Sequence, residues 1–313
     1  MRSRVLSWVQ RTARFHSLVR MFQLSLAVSL MSILLAAPAS AAPFVYVVTL
    51  SQQFGTIDLA NGKFQPIGNG TPDLLTNLVR CPDLLINSVR CEDGSLLTLT
   101  TFPTLGSLAK IDPATGAESV IGATGLSFNA FDLAEVRGKL YLTDFGNVPY
   151  PQNLYSIDLT TGVAAPNPPS TGVPGDPNIP LTFNSDGTFN LCDEGLYGIA
   201  GKLYATFDSF AIDPRQTPPT RTHEYVSPRV YQIDPFTGAT EVVANTDWAL
   251  TAIVEVDGTI YAFRGVTDGF DWDIGLPIGH AELVTLDLKT GKTNKIADLD
   301  KSLGAIFGAA PVH

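Results

Sequence analysis

The sequence predicts an all-β protein, a β-propeller of about five four-stranded blades whose ring is closed by the C-terminal strand. A hairpin phrase of the form Ile/Leu-Asp-x-x-Thr/Asn-Gly recurs five times, and a pair of short strands around a tight turn precedes most copies. Helical periodicity is scarce along the chain. Four antiparallel strands per repeat are the unit of a propeller blade. Six blades and an open β-solenoid are the alternatives.

The N-terminal segment has the order of regions found in a secretory signal peptide. Residues 1–20 carry five Arg and no acidic residue, an apolar stretch covers 22–37, and Ala39-Ser40-Ala41 is a small-residue cleavage pattern. The apolar stretch is shorter than the roughly 20 residues that span a membrane. We therefore expect residues 1–41 to be cleaved on export to the periplasm or the extracellular space.

Charge limits the partners of the remaining single domain, residues 42–313. The chain has 20 Lys+Arg against 30 Asp+Glu, and cleavage removes five of the Arg. Such an acidic surface disfavours a nucleic-acid partner. No second long apolar run follows, so we expect no integral membrane segment after cleavage, and a monomer. Met21 is an alternative start, since the region before it is unusually long for a signal peptide.

The five copies of the first phrase are tight hairpins. Their Asp caps the turn through its side chain, and their Gly adopts a positive φ without strain. The copies begin at Asp58, Asp112, Asp158, Asp234 and Asp287. The third interval is the longest and leaves room for a sixth, degenerate blade at about 165–193.

The second phrase supplies the two inner strands of a blade. Three copies have the turns Arg137-Gly138, Ala200-Gly201 and Asp257-Gly258. A looser copy places an inner strand at 86–90 and its neighbour at 95–99.

The ends of the chain predict how the ring closes. The first repeat begins with the strand 44–50, which has no inner strand before it, and the last hairpin is followed by an orphan strand at 304–310. If that strand enters the first blade, the two termini seal the ring without an exposed sheet edge.

Two segments resemble a known group of proteins. The run LYSIDLTTG, 154–162, resembles the secreted bacterial propeller repeats of the PQQ-like, YVTN and NHL kind, and VYVV, 45–48, is similar to the opening of a YVTN repeat. The resemblance covers nearly all of 43–313 and implies the propeller fold. It implies no single function, because these groups include enzymes, binding proteins and uncharacterised exported proteins.

Loop length predicts which end of the ring is functional. If the strands of a blade are labelled A to D from the axis outward, the A–B and C–D turns are short and share one end, the short-turn face. The B–C and D–A connections share the opposite end, the long-loop face. Its long connections are 68–85, 144–153, 165–193, 207–229 and 264–282. Rigid scaffolds commonly bind ligands with such loops.

The candidate ligand-binding residues are polar or aromatic groups of these loops and of the inner strands. They are Asp132, Glu194, Tyr150, His223, Arg229, Trp248 and Trp272. The aromatic rings suit a sugar or another flat ligand, and a His with Arg suits acid–base work or a carboxylate clamp. Polar surface and ordinary packing are the alternatives.

The inner strands offer a second candidate site at the axis. Asp132, Glu135, Glu194 and Glu255 lie on or beside predicted A strands, where they would form an acidic funnel. A one-residue slip in strand phase would turn these side chains to the other face.

An acidic loop is the candidate metal site. Asp268, Asp271 and Asp273 fall within six residues, and carboxylates at such spacing in an irregular loop can surround Ca²⁺. A solvated acidic loop is the alternative.

The cysteines predict a disulfide in an oxidising compartment. Cys81 and Cys91 lie in two near-identical ten-residue segments, and Cys91–Cys192 is the other plausible bridge.

These observations predict a binding scaffold for a small molecule, a glycan or a protein. An enzyme at the axial channel, such as a hydrolase, a lyase or a quinone-dependent dehydrogenase, is the alternative, and an adhesion module is a third.

Overall fold

Five antiparallel sheets, each of four strands, make up the computed structural model of the protein. The structure describes residues 43–71, 74–81, 94–102, 106–126, 130–144, 153–167, 171, 184–248, 250–271 and 276–312. Each sheet is one blade. Among these residues, no helix has the length and apolar character needed to cross a membrane.

Blade 1 joins the two ends of the propeller. It contains β1 (Phe44–Thr49), β2 (Phe54–Asp58), β3 (Phe64–Pro66) and β20 (Ile306–Pro311). The C-terminal strand β20 is the innermost of the four and pairs antiparallel with β1, with Tyr46 opposite Ala310. The predicted closure by the C-terminal strand is thus confirmed.

The other four blades follow in chain order, each from the inner strand outward. Blade 2 contains β4 (Leu74–Arg80), β5 (Leu96–Phe102), β6 (Ser107–Ile111) and β7 (Glu118–Ala123). Blade 3 contains β8 (Ala130–Val136), β9 (Lys139–Asp144), β10 (Leu154–Ile157) and β11 (Ala164–Pro166). Blade 4 contains β12 (Phe189–Ile199), β13 (Lys202–Asp213), β14 (Thr220–Ile233) and β15 (Thr240–Asn245). Blade 5 contains β16 (Leu250–Val256), β17 (Thr259–Asp271), β18 (Leu276–Leu286) and β19 (Thr293–Asp298), and a single 3-10 turn, Lys301–Leu303, precedes β20.

The inner strands form the ring. β20 contacts β4, β4 contacts β8, β8 contacts β12, β12 contacts β16, and β16 contacts β20. The direct contact between β8 and β12 means that the interval 165–193 adds no sixth blade between blades 3 and 4. The closed contacts also exclude the open solenoid.

The predicted tight turns have the expected backbone. Arg137, Ala200 and Asp257 have φ between 49° and 53°, and each is followed by a Gly of positive φ. Two consecutive positive φ values define the two-residue turn that matches the twist of a β-hairpin. In the outer turns the Asp side chain accepts from the backbone two residues on, as Asp58 does from the Ala60 amide at 2.8 Å.

Two expectations about the strands are wrong. The inner strand of blade 2 is Leu74–Arg80, the first of the two duplicated segments, whereas the predicted 86–90 lies outside the described residues. The segments 207–229 and 264–282 are largely paired strands rather than irregular loops, with Asp213 opposite Thr220 and Asp271 opposite Leu276. Pairing satisfies backbone groups that an irregular loop must leave to water or side chains.

Hydrophobic packing joins neighbouring blades. One cluster unites Val45 and Ile57 of blade 1 with Val254 and Phe263 of blade 5, and all four are buried. Burial of such side chains stabilises each by about 1.5–3 kcal/mol relative to exposure. The ring is therefore held together by contacts between sheets, which no blade can make alone. Cys81, just after β4, forms a disulfide.

Candidate functional site

Two long hairpins mark the long-loop face. β13 and β14 of blade 4 have 12 and 14 residues, whereas the matching β9 and β10 of blade 3 have 6 and 4. In blade 5, β17 pairs with the inner strand only as far as Arg264, and its remainder pairs with β18 alone. At about 3.3 Å per residue, six extra residues extend a hairpin by roughly 20 Å.

The blade 4 hairpin is anchored by Arg221. Its Nη2 donates a 2.8 Å hydrogen bond to Oδ2 of Asp208, whose side chain is fully buried. Its guanidinium lies 3.6 Å from the ring centroid of Phe210. A guanidinium that is both stacked and ion-paired holds its strand in one position.

The predicted residues His223 and Arg229 lie on β14 but are not brought together. His223 is exposed and packs edge-on against Tyr225, with ring centroids 4.5 Å apart. Arg229 lies opposite Phe207, nearer the body of the blade. Six residues of extended strand separate them by roughly 20 Å. The pair therefore forms no shared acid–base site.

Trp248 contacts the first residue of a network of ion pairs on blade 5. Trp248 is 44% exposed, and its ring centroid lies 5.0 Å from the guanidinium of Arg264. The Nε of Arg264 donates to Oε2 of Glu282. The Nζ of Lys295 donates to Oε1 of Glu282 at 2.7 Å and to Oδ1 of Asp298 at 2.6 Å. Burial would raise the pKa of Glu282, but its hydrogen bonds from Arg264 and Lys295 outweigh burial and lower the pKa.

Asp268 continues this network. Its Oδ2 lies 2.6 Å from Nδ1 of His280 and 3.1 Å from Nζ of Lys301. Burial would raise its pKa, but the hydrogen bonds from His280 and Lys301 prevail and lower it. Of the other predicted calcium ligands, Asp271 lies in β17 with its side chain outside the described part, and Asp273 lies outside it altogether.

The same network contains a possible donor set for a metal. His280, Glu282 and Asp298 each offer an atom within 4.8 Å of the others. However, Arg264 and Lys295 already bind these carboxylates. A metal ion would have to displace them, so the arrangement acts as a set of ion pairs.

The axial channel holds two of the predicted carboxylates. A cavity of about 170 Å³ near its short-turn end is lined by all five inner strands and includes Glu135, Glu255 and Arg80. Glu135 accepts from the Gly138 amide, and Glu255 accepts from the Ala200 amide at 2.7 Å. Both side chains thus face the axial cavity, which is one of the two strand phases that the sequence leaves open. Each carboxylate accepts a hydrogen bond from the backbone of an A–B turn, and the positive charge of Arg80 in the same cavity offsets part of their negative charge.

Asp132 is buried on the inner strand β8, where it accepts a 2.8 Å hydrogen bond from Nδ2 of Asn77. Asn77 has a φ of 53°, and its carbonyl accepts from the hydroxyl of Thr98 at 2.7 Å. Burial raises the pKa of Asp132 to about 7, although the Asn77 hydrogen bond lowers it. A carboxyl that titrates near neutrality can transfer protons at physiological pH.

Three predicted residues cannot be placed. Tyr150 and Trp272 lie outside the described residues, and Glu194 is described only as a β12 backbone position opposite Phe207.

Sequence reasoning missed Asn77, Arg264 and Glu282. Each is a polar residue within a strand segment that is otherwise mostly apolar. A polar group at such a position needs a partner, and that is the signal that would have identified them.

No protein-family model matches the chain, and no curated protein sequence matches it. The fold rests on the sheet topology, and the resemblance to the propeller repeat groups concerns fold alone.

Proposed function

We propose that the protein is an exported binding scaffold that holds a protein partner on its long-loop face, with a glycan or a small ligand as competing occupants. The observation that carries this proposal is the pair of long hairpins on blades 4 and 5. They project on the face where the D–A connections also lie, and they are paired strands instead of loose loops. A rigid projection loses less conformational entropy on binding than a flexible one.

The side chains that these elements display support a macromolecular partner. Tyr225 and Ile278 are exposed on the two hairpins, and Trp248 is exposed at the base of blade 5. Aromatic residues are enriched where protein interfaces bind most strongly. Arg264 holds the Trp248 ring, and Arg221 holds the hairpin that carries Tyr225.

The experiment compares two face variants with a matched control. We would crosslink purified residues 43–313 to exported proteins of the producing organism, and probe a glycan array in parallel. Tyr225→Ser and Trp248→Ser should each weaken the captured interaction about thirtyfold or more, since interface anchors contribute about 2 kcal/mol or above. Val120→Ser removes an exposed apolar residue from the outer strand β7 and should change nothing. Equal capture by all three variants would rule out this face.

Export is part of the proposal. The N-terminal order of charged, apolar and small residues supports it. The disulfide at Cys81 also supports it, because such bonds persist in oxidising compartments. Expression of the full chain in a bacterial host should yield a secreted or periplasmic protein whose N-terminal sequence begins at Ala42. A product that retains residue 1 in the cytoplasm would contradict export.

An enzyme at the axial channel is the second candidate, because Asp132 on the inner strand β8 contacts Asn77, which lines the axial cavity. The Asp132 pKa of about 7 lies in the range suited to a general acid or base. A panel of ester, lactone and glycoside substrates should then show turnover that Asp132→Asn abolishes without loss of folding. Turnover that survives in Asp132→Asn would exclude this residue from the chemistry.

A further inference from the structure

The short-turn face, opposite the proposed binding face, carries a cavity of about 250 Å³ between blades 3 and 4. Its walls come from β9 and β10 and from the turn that joins β14 to β15. Asn167 crosses the junction, since its Nδ2 donates a 2.6 Å hydrogen bond to the carbonyl oxygen of Pro235. The cleft is fixed between two packed blades, and its volume suits a single small ring compound.

Phe236 at the edge of this cleft breaks the pattern of the repeat. It is the second residue after the Asp of its turn, and it is 71% exposed. The four equivalent turn positions carry Ala60, Ala114, Thr160 and Lys289. The other four turns form without an aromatic residue there, so the turn itself does not require Phe236. An exposed ring beside a cavity is available to stack on a ligand.

Two polar groups in the cleft lack partners among the described residues. The Nζ of Lys139 lies 5.7 Å from the centroid of the Phe236 ring, and no described carboxylate lies within ion-pair distance of it. Tyr141 lines the cavity, and its hydroxyl forms no hydrogen bond with the described part of the chain. An ammonium and a hydroxyl donor that both face the cleft favour an anionic group.

The carboxylate of Asp158 also lines the cleft, but it accepts hydrogen bonds from its own turn and not from Lys139 or Tyr141. Asp158 accepts from the amides of Thr160 and Thr161 at 2.7 and 3.1 Å, within its own turn. Its charge is therefore committed to the turn, and Lys139 and Tyr141 remain available.

We propose that this cleft binds a small aromatic carboxylate. The carboxylate would be held by the ammonium of Lys139 and the hydroxyl of Tyr141, while the ring would stack on Phe236. No covalent step is involved, and the site is separate from the long-loop face.

The test uses benzoate as the probe and benzyl alcohol as its uncharged counterpart. Binding to residues 43–313 would be followed by NMR titration. Benzoate should bind with a dissociation constant in the millimolar range, and benzyl alcohol about tenfold more weakly, because the alcohol lacks the charge that Lys139 recognises.

Variants locate the site. Phe236→Ala and Lys139→Gln should each weaken benzoate binding about tenfold. Lys289→Ala, at the same turn position in blade 5, should bind as the unchanged protein does. Because Ala occupies this position in two other turns, Phe236→Ala should melt at the same temperature as the unchanged protein. Absence of saturable benzoate binding, or equal affinity in all the variants, would overturn the proposal. Either result leaves the long-loop face untouched, so the two proposals fail separately.

Discussion

Nδ2 of Asn77 donates a 2.8 Å hydrogen bond to Oδ1 of Asp132, which links the inner strands of blades 2 and 3. Both residues lie at irregularities of their strands, since register shifts occur between Thr76 and Val79 and between Ala130 and Asp132. A bulge redirects side chains that regular pleating would send elsewhere. The two bulges thus bring an amide and a carboxyl together across a blade junction.

This contact predicts a stability that depends on pH. The pKa of Asp132 is raised to about 7 in the folded protein, whereas an unfolded Asp titrates near 3.9. Folded protein therefore binds the proton more tightly, and the stabilisation is present in acid and is lost as pH rises through about 7.

We expect the free energy of unfolding to fall by roughly 3 kcal/mol from about pH 5 to about pH 8 through this group alone. Asp132→Asn cannot ionise and should lack this component. Urea unfolding of both proteins at the two pH values measures it, because other titrating groups affect both proteins alike. Parallel pH profiles would show that Asp132 titrates normally.

Gly308 of β20 allows the close approach that seals the ring. A Cβ at this position would lie 2.4 Å from the carbonyl carbon of Asn77 and from the amide nitrogen of Leu78. We expect Gly308→Ala to destabilise the protein by about 1–3 kcal/mol, since the backbones must separate.

The matched control for that change is Gly265→Ala in β17. Its added Cβ would meet only the Cγ2 of Thr251, at an ordinary 3.7 Å. Thermal melts of both variants should show a clear loss for Gly308→Ala and little for the control. Equal losses would mean that closure by β20 is not the sensitive contact.

Glu282 should be the main energetic contributor of the charge network. Its side chain is 9% exposed and binds both Arg264 and Lys295. Glu282→Gln leaves two cations without a charged partner at a partly buried site, so we expect a loss of about 2–4 kcal/mol.

Asp298→Asn tests the same network at its exposed end. The Asp298 side chain is 60% exposed, and an exposed ion pair contributes about 0–1 kcal/mol. Chemical denaturation should rank Glu282→Gln well below Asp298→Asn in stability. The opposite order would indicate that solvent screens the buried end of the network as well.

Calcium should have little effect through Asp268. Its carboxylate already contacts His280 and Lys301, so a calcium ion would have to displace a cation. The melting temperature should be the same in excess calcium and in chelator, within the error of the melt. A clear drop in chelator would instead favour the cation site predicted from Asp268, Asp271 and Asp273, and Asp268→Asn should then remove it.

The sequence predicts many of the residues of the candidate site, but it does not predict which of their side chains lie next to one another. The sequence assigns Glu135 and Glu255 to inner strands but leaves open which face of the strand each side chain takes, and the structure places both at the axial cavity. His223 and Arg229 are close in sequence, but six residues of extended strand separate them by roughly 20 Å.

The sequence by itself determined the local units of this protein. Asp-x-x-Thr-Gly and the residue-Gly pairs specify tight turns, because side-chain capping and positive φ are properties of a few residues. Alternating strands around those turns then specify blades that close in a ring.

Only the tertiary structure decided which side chains meet between blades. The contact of Asn77 with Asp132 depends on bulges, and the cleft at Phe236 depends on the spacing of blades 3 and 4. These pairings join residues far apart in the chain, and their geometry is set by packing between sheets, which no local pattern encodes.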